Sequence, residues 1–162
     1  MYQPIPQLAI LPPLLKSIWE RKQSRIQILE TGDGSYGSTA TLAQWVAYDE
    51  EKVDYFKSIS LDGAAQERCH RQLEIFGISP YCTFHMQSPM KWLSNLNWLD
   101  FVLLNPESLD DGVQQFALAI SAGVSIVVIH DYQRGAALAV RKAYGLGWTV
   151  ENTEIYSILR RP

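Results

Sequence analysis

The stretch "ETGDGSYGST", Glu30 to Thr39, decides how this chain is read. Its three glycines, Gly32, Gly34 and Gly37, match G-x-G-x-x-G, with an acid before them and a Ser-Thr pair after. Glycine lets the backbone turn sharply and lets a ligand approach where a Cβ would otherwise stand. A helix starting near Ser38 adds unpaired N–H groups at the same place. The pattern gains weight from its context: a strand before, a helix after, and an acid at the end of the next strand. All three are expected here. "RIQILE" (25–30) reads as a short strand entering the turn. Leu42, Ala43 and Val46 fall at helical spacing behind it, and "YFKSISL" (55–61) alternates as a strand and is followed by Asp62.

The same alternation of periods runs outward to both ends. Before the turn, Leu14, Leu15, Ile18 and Trp19 define a helix opened by Pro12 and Pro13, where proline is tolerated because first-turn N–H groups lack partners anyway. After it, "AAQERCHRQLEIFG" places Cys69, Leu73 and Phe76 on one helical face and closes at Gly77. "YCTFHM" (81–86), "DFVLL" (100–104) and "SIVVIH" (125–130) read as strands. Between them lie a short helical turn around Met90 to Leu96 and a helix through Val113, Phe116, Ala117 and Ile120 that ends at Gly123. "AALAVRKAYG" is the last helix, and "WTVEN" with "IYSILRR" forms a terminal hairpin. Strands alternating with helices imply a parallel sheet covered on both faces, with the most apolar strands at its centre. The expected fold is therefore α/β: a Rossmann-like, doubly wound, mostly parallel seven-stranded sheet, helices on both faces, and a C-terminal antiparallel hairpin. One domain is expected over 1–162, with a proline-rich N-terminal segment over 1–13 whose Tyr2, Ile5, Leu8, Ile10 and Leu11 either cover the cleft or pack on a second subunit.

Composition narrows the function. A net charge of −3 gives no electrostatic reason to expect a nucleic-acid partner. No apolar run reaches the roughly 20 residues that cross a bilayer, so no membrane is expected. The N-terminus is apolar but broken by four prolines and lacks a basic leader. Cys69 and Cys82 carry no partner motif and read as reduced structural thiols of a cytoplasmic protein.

In such sheets ligands bind outside the carboxyl ends of the strands, where the strand order reverses. That singles out Glu30 to Ser38, then Asp62, then Gln87 and Ser88, then Asn105 to Ser108, then His130 to Tyr132. A pyrophosphate on the helix N-terminus would be repelled by Glu30 and Asp33. S-Adenosylmethionine carries an ammonium and a sulfonium and no phosphate, so it suits those carboxylates. Glu30 has two readings: contact with the methionine portion, or holding the loop through backbone N–H bonds. His130 with Asp131, at the mouth of the central strand, is the best pair for general-base chemistry, although neighbours leaving a strand point in opposite directions. His70 and His85 read as structural, and Asp110 and Asp111 as helix-start carboxylates facing the dipole.

The ordered set resembles the class I S-adenosylmethionine-dependent methyltransferases from Leu14 to Arg160, nearest the small-molecule O-methyltransferase branch. "ILETGDGSYGST" (28–39) looks like the first motif, "SISLD" (58–62) the second, and "FHMQSPMKWLSNL" (84–96) the segment after the third strand. "LDFVLLN" (99–105), "VSIVVIHDYQRG" (124–135) and "GWTVENTEIYSILRRP" (147–162) resemble the fourth-strand motif, the fifth-strand motif and the terminal hairpin. The resemblance implies S-adenosylmethionine as cofactor, bound by Glu30, Gly32, Asp33, Gly34, Gly37, Ser38, Asp62, Gln87, Ser88 and Asn105. It places Asp62 on the ribose, Gln87 and Ser88 at the adenine, and Met86 as an apolar wall. Metal-dependent relatives carry Asp after the fourth strand and Asp-Asn after the fifth. Asn105, Asp131 and Tyr132 stand there instead, so no metal is expected. Asn105-Pro106 continues with Glu107-Ser108 and not with an aromatic, so it offers no stacking platform. The expected function is methyl transfer to an acceptor, taken as a small molecule, with a homodimer plausible. The rivals are a non-catalytic protein of the same fold that binds a nucleotide-like ligand or a partner, and a nicotinamide-dependent oxidoreductase.

Overall fold

Seven short segments join in one sheet, the apolar ones at its centre and the more polar "TFHM" and "TVEN" at its edges. The structure is a computed structural model and describes residues 6–32, 34, 37–130, 135–153 and 155–162. The strands are β1 (Ile26–Thr31), β2 (Val53–Ser60), β3 (Thr83–Met86), β4 (Phe101–Leu104), β5 (Ile126–His130), β6 (Thr149–Asn152) and β7 (Tyr156–Arg160). Their order is β3-β2-β1-β4-β5-β7-β6. The first five run parallel, and β7 lies antiparallel to both β5 and β6. This is the expected doubly wound arrangement with its C-terminal antiparallel pair.

The helices are α1 (Leu11–Lys22), α2 (Ser38–Tyr48), α3 (Gly63–Ile75), α4 (Pro89–Ser94), α5 (Leu109–Ser121) and α6 (Gly135–Gly145). α1, α2 and α3 cover one face and α4, α5 and α6 the other. A continuously apolar strand serves both faces because its side chains alternate. In β4, Phe101 and Leu103 enter the first core while Val102 and Leu104 enter the second. β5 divides in the same way, Ile126 and Val128 against Val127 and Ile129.

Local chemistry sets the ends of the helices. Pro12 and Pro13 occupy the first turn of α1. Asp62 caps α3, its carboxylate accepting from the Ala65 N–H at 2.9 Å. At the other end of α3, Gly77 takes φ +70°, so the Gly77 and Ile78 N–H groups turn back to Glu74 and Leu73. Ser108 caps α5, with Asp110 and Asp111 in its first turn as the sequence implied. The third strand starts at Thr83, later than its apolar run, because Pro80 belongs to a 3-10 turn over Ser79–Tyr81.

The N-terminal segment divides at Pro6. Tyr2 and Ile5 lie outside the described residues. Pro6–Ile10 forms a 3-10 turn in which Leu8 is fully buried, and Leu8, Leu11 and the partly buried Ile10 all pack into the first core of their own chain. Among the described residues no helix is long and apolar enough to cross a membrane.

Candidate active site

The strand order reverses between β1 and β4. Thr31 and Leu104 are register partners at their carboxyl ends, which brings Gly32 beside Asn105. The Asn105 side chain donates to the Thr31 carbonyl at 2.8 Å, and its backbone N–H reaches the same oxygen at 3.2 Å. On the other side, the Gly32 N–H donates to Ile59 in β2 at 2.9 Å. Gly32 has φ +86°, and a Cβ there would stand 2.6 Å from the Asn105 carbonyl oxygen. The first glycine is therefore demanded by the close approach of two strands, independently of any ligand.

Glu30 is fully buried. Its two carboxylate oxygens accept from the hydroxyls of Ser38 and Thr39, at the start of α2. A buried carboxylate is tolerable only when hydrogen-bonded. These two bonds tie the end of β1 to the start of α2. Gly34 packs against this cluster, since a Cβ there would stand 2.0 Å from Thr39 Oγ1. Gly37, at φ +79°, forms the N-cap of α2. Asp33 lies outside the described residues, as do Tyr36, Asp131 and Tyr132.

A cleft of about 420 Å³ opens at the carboxyl ends of β1, β2 and β4. One side is Gly32, Ser60, Leu61 and Ser88, and the facing side is Asn105, Glu107, Asp111 and Gln115. Among the described lining residues there are two carboxylates and no Lys or Arg. Asp62 is exposed next to Leu61, with its N–H on Ser60 Oγ at 3.0 Å. Gln87 is exposed next to Ser88, with its N–H on the Ser60 carbonyl at 3.1 Å. Leu61 and Met86 expose apolar side chains nearby, 66% and 70% accessible.

So the structure gathers Gly32, Ser88 and Asn105 in the lining, sets Asp62 and Gln87 beside it, and uses Glu30, Gly34, Gly37 and Ser38 to build the loop. His130 is not among the described lining residues. It ends β5 only 8% exposed, its ring 5.2 Å from that of its register partner Tyr156. His85 packs on Trp92 at 4.5 Å, and burial, with the charge of Lys57, holds its pKa below the ordinary value. Burial pushes the Cys82 thiol well up, with the charge of Glu30 adding to the effect, which leaves it an unreactive core group. Sequence reasoning missed Ser60, Leu61, Met90 and Gln115 as lining residues. It read Asp111 only as a helix-start acid, whereas Glu107 falls within the stretch Asn105 to Ser108 that it singled out. Their signal was position alone, at or just after the ends of β2 and β4 or within α4 and α5.

No family model and no curated protein sequence matches the chain. Solved structures do. An rRNA methylase from Streptococcus thermophilus superposes with a TM-score of 0.66 at 12% identity, over 99% of this chain and 98% of that one. A methyltransferase from Geobacter sulfurreducens gives 0.65 at 12%, over 93% and 77%. TrmK from M. capricolum, solved with the cofactor product S-adenosylhomocysteine, gives 0.52 at 12%, over 90% of this chain and 65% of its own length. The protein has the class I methyltransferase fold.

Proposed function

We propose that the protein binds S-adenosylmethionine in the cleft between the ends of β1 and β4 and transfers its methyl group to an acceptor. The observation that carries this is the cleft itself. It sits at the reversal point of a methyltransferase fold, and its size suits a small ligand, for which about 300–1,000 Å³ is usual. Its chemistry fits too. Glu107 and Asp111, with no Lys or Arg among the described lining residues, favour a ligand bearing ammonium and sulfonium charge over one bearing a pyrophosphate. That counts against the nicotinamide reading.

The bound cofactor would supply an electrophilic methyl group, and the chain's own residues would bind and orient it. The exposed Asp62 carboxylate accepts one backbone hydrogen bond and has lone pairs left for the two ribose hydroxyls. Gln87 and Ser88 offer polar groups to the adenine edge, with Leu61 and Met86 as apolar surface for its faces. Methyl transfer then depends chiefly on holding the acceptor in line with the methyl group. We take the acceptor to be a small molecule, supported by the two acids of the lining and the net charge of −3.

Calorimetric titration with S-adenosylmethionine, S-adenosylhomocysteine and NAD tests the cofactor. Micromolar binding of the first two and none of the third is expected. Failure to bind either methionine nucleoside overturns the proposal and returns the protein to the non-catalytic reading. Transfer of labelled methyl from S-adenosylmethionine, run against a small-metabolite pool and against rRNA, tests the acceptor. Label entering only rRNA would overturn the small-molecule reading.

A further inference from the structure

A polar chain, buried at its Thr31 end and open to solvent at its Glu107 end, links the two walls of the cleft. The hydroxyl of Thr31, last residue of β1, donates to Gln115 Oε1 at 2.7 Å, and both residues are buried. Gln115 Nε2 donates to Asp111 Oδ2 at 2.7 Å. The same oxygen accepts the Glu107 N–H at 3.1 Å, closing the loop between β4 and α5. One wall is thus the Thr31–Gly32 end of β1, and the other is Glu107 with Asp111. Gln115 is the link that joins them.

Its chemistry at this point is hard to replace. Gln115 is 1% exposed and sits beside Phe116, in a stretch of α5 where an apolar side chain would pack more cheaply. An amide accepts from a hydroxyl with one end and donates to a carboxylate with the other. Methionine would leave the buried Thr31 hydroxyl without its acceptor. Glutamate would set a second carboxylate against Asp111.

We propose that Gln115 is a positioning residue for the cofactor cleft: it ties the Gly32 turn to the Glu107–Asp111 loop and holds the cleft open at one width before ligand arrives. The inference rests on the cofactor reading above. A preformed cleft spares the ligand the cost of ordering its walls, so losing the tie weakens binding even where the fold survives.

The test is calorimetric titration of the full chain with S-adenosylhomocysteine at pH 8 and pH 5.5, for wild type, Gln115→Met and Gln115→Glu, with thermal unfolding of each. We expect Gln115→Met to fold and bind at least tenfold more weakly at both pH values. Gln115→Glu should bind weakly at pH 8, where the introduced carboxylate and Asp111 repel. It should recover towards wild type at pH 5.5, where the two carboxylates share a proton and the donor is restored. Asp111 and Glu107 are the charged groups of the described lining, and wild type reports their own response to pH. Variants that melt earlier yet bind as wild type would make Gln115 a packing residue and overturn the inference. So would Gln115→Glu binding equally weakly, relative to wild type, at both pH values. If Gln115→Met fails to fold, the pH response of Gln115→Glu decides alone. Wild type that does not bind overturns the cofactor reading and this inference together, whereas wild type that binds beside unaffected variants overturns only this one.

Discussion

Gly32 and Gly77 share a left-handed backbone, at φ +86° and +70°, but not a neighbourhood. A Cβ at Gly77 would meet nothing within 4 Å, while one at Gly32 would strike the Asn105 carbonyl oxygen at 2.6 Å. Gly77→Ala should therefore cost only the conformational strain, about 1–2 kcal/mol. Gly32→Ala must also push β1 and β4 apart, and its loss in urea unfolding should exceed that of Gly77→Ala by at least ~1 kcal/mol. Equal losses would show that the strands yield freely there. The glycine spacing was legible in the sequence, but this reason for it was not, because the obstructing atom belongs to a residue far along the chain. Titration gives a second expectation. Burial and then Lys57 hold the pKa of His85 below its ordinary 6.5, so the unfolded chain takes up that proton first. The contribution of His85 to stability is present above about pH 6.5 and is lost as pH falls through its lowered value. Melting temperatures measured from pH 8 to 5 should fall less steeply for His85→Phe than for wild type, and parallel curves would refute this.

Asp62 acts at the scale of an element, since one carboxylate caps α3 and stands beside the cleft. The two roles separate by substitution. Asp62→Ala loses the bond to the Ala65 N–H and should destabilise by about 1 kcal/mol. Asp62→Asn keeps a capping oxygen and should melt near wild type. Both should weaken S-adenosylhomocysteine binding at least tenfold, and an Asp62→Asn protein that binds normally would remove Asp62 from the ribose. The elements themselves were legible because parallel strands covered on both faces read as unbroken apolar runs, as "FVLL" and "IVVIH" do. The far wall of the cleft was not. In sequence Gln115 looks like the polar flank of an amphipathic helix, and only the arrival of Thr31 from β1 shows that it is buried and bonded. The surroundings of His130 were not legible either: its place at the end of β5 could be read from the sequence, but the ring of Tyr156 beside it comes from the pairing of β7 with β5.

For the whole molecule, the sheet acts as a partition. Leu15 and Phe116 are both fully buried, yet they belong to different cores on opposite faces. Leu15→Ala should cost about 2–5 kcal/mol and Phe116→Ala about 3–5 kcal/mol. The double variant, measured by denaturant unfolding in a stabilising buffer, should match the sum within about 0.5 kcal/mol. A larger coupling would mean that the sheet transmits strain between its faces. The strand order also has a consequence for how the protein is made. β5, every residue of it buried, is flanked by β4, made before it, and by β7, made after both α6 and β6. As the chain folds, the outer edge of β5 therefore stays open, its backbone groups free to pair with any extended segment nearby, until Tyr156–Arg160 slots in antiparallel. An unpaired strand edge invites mispairing with other chains, and the docking of β7 closes this one.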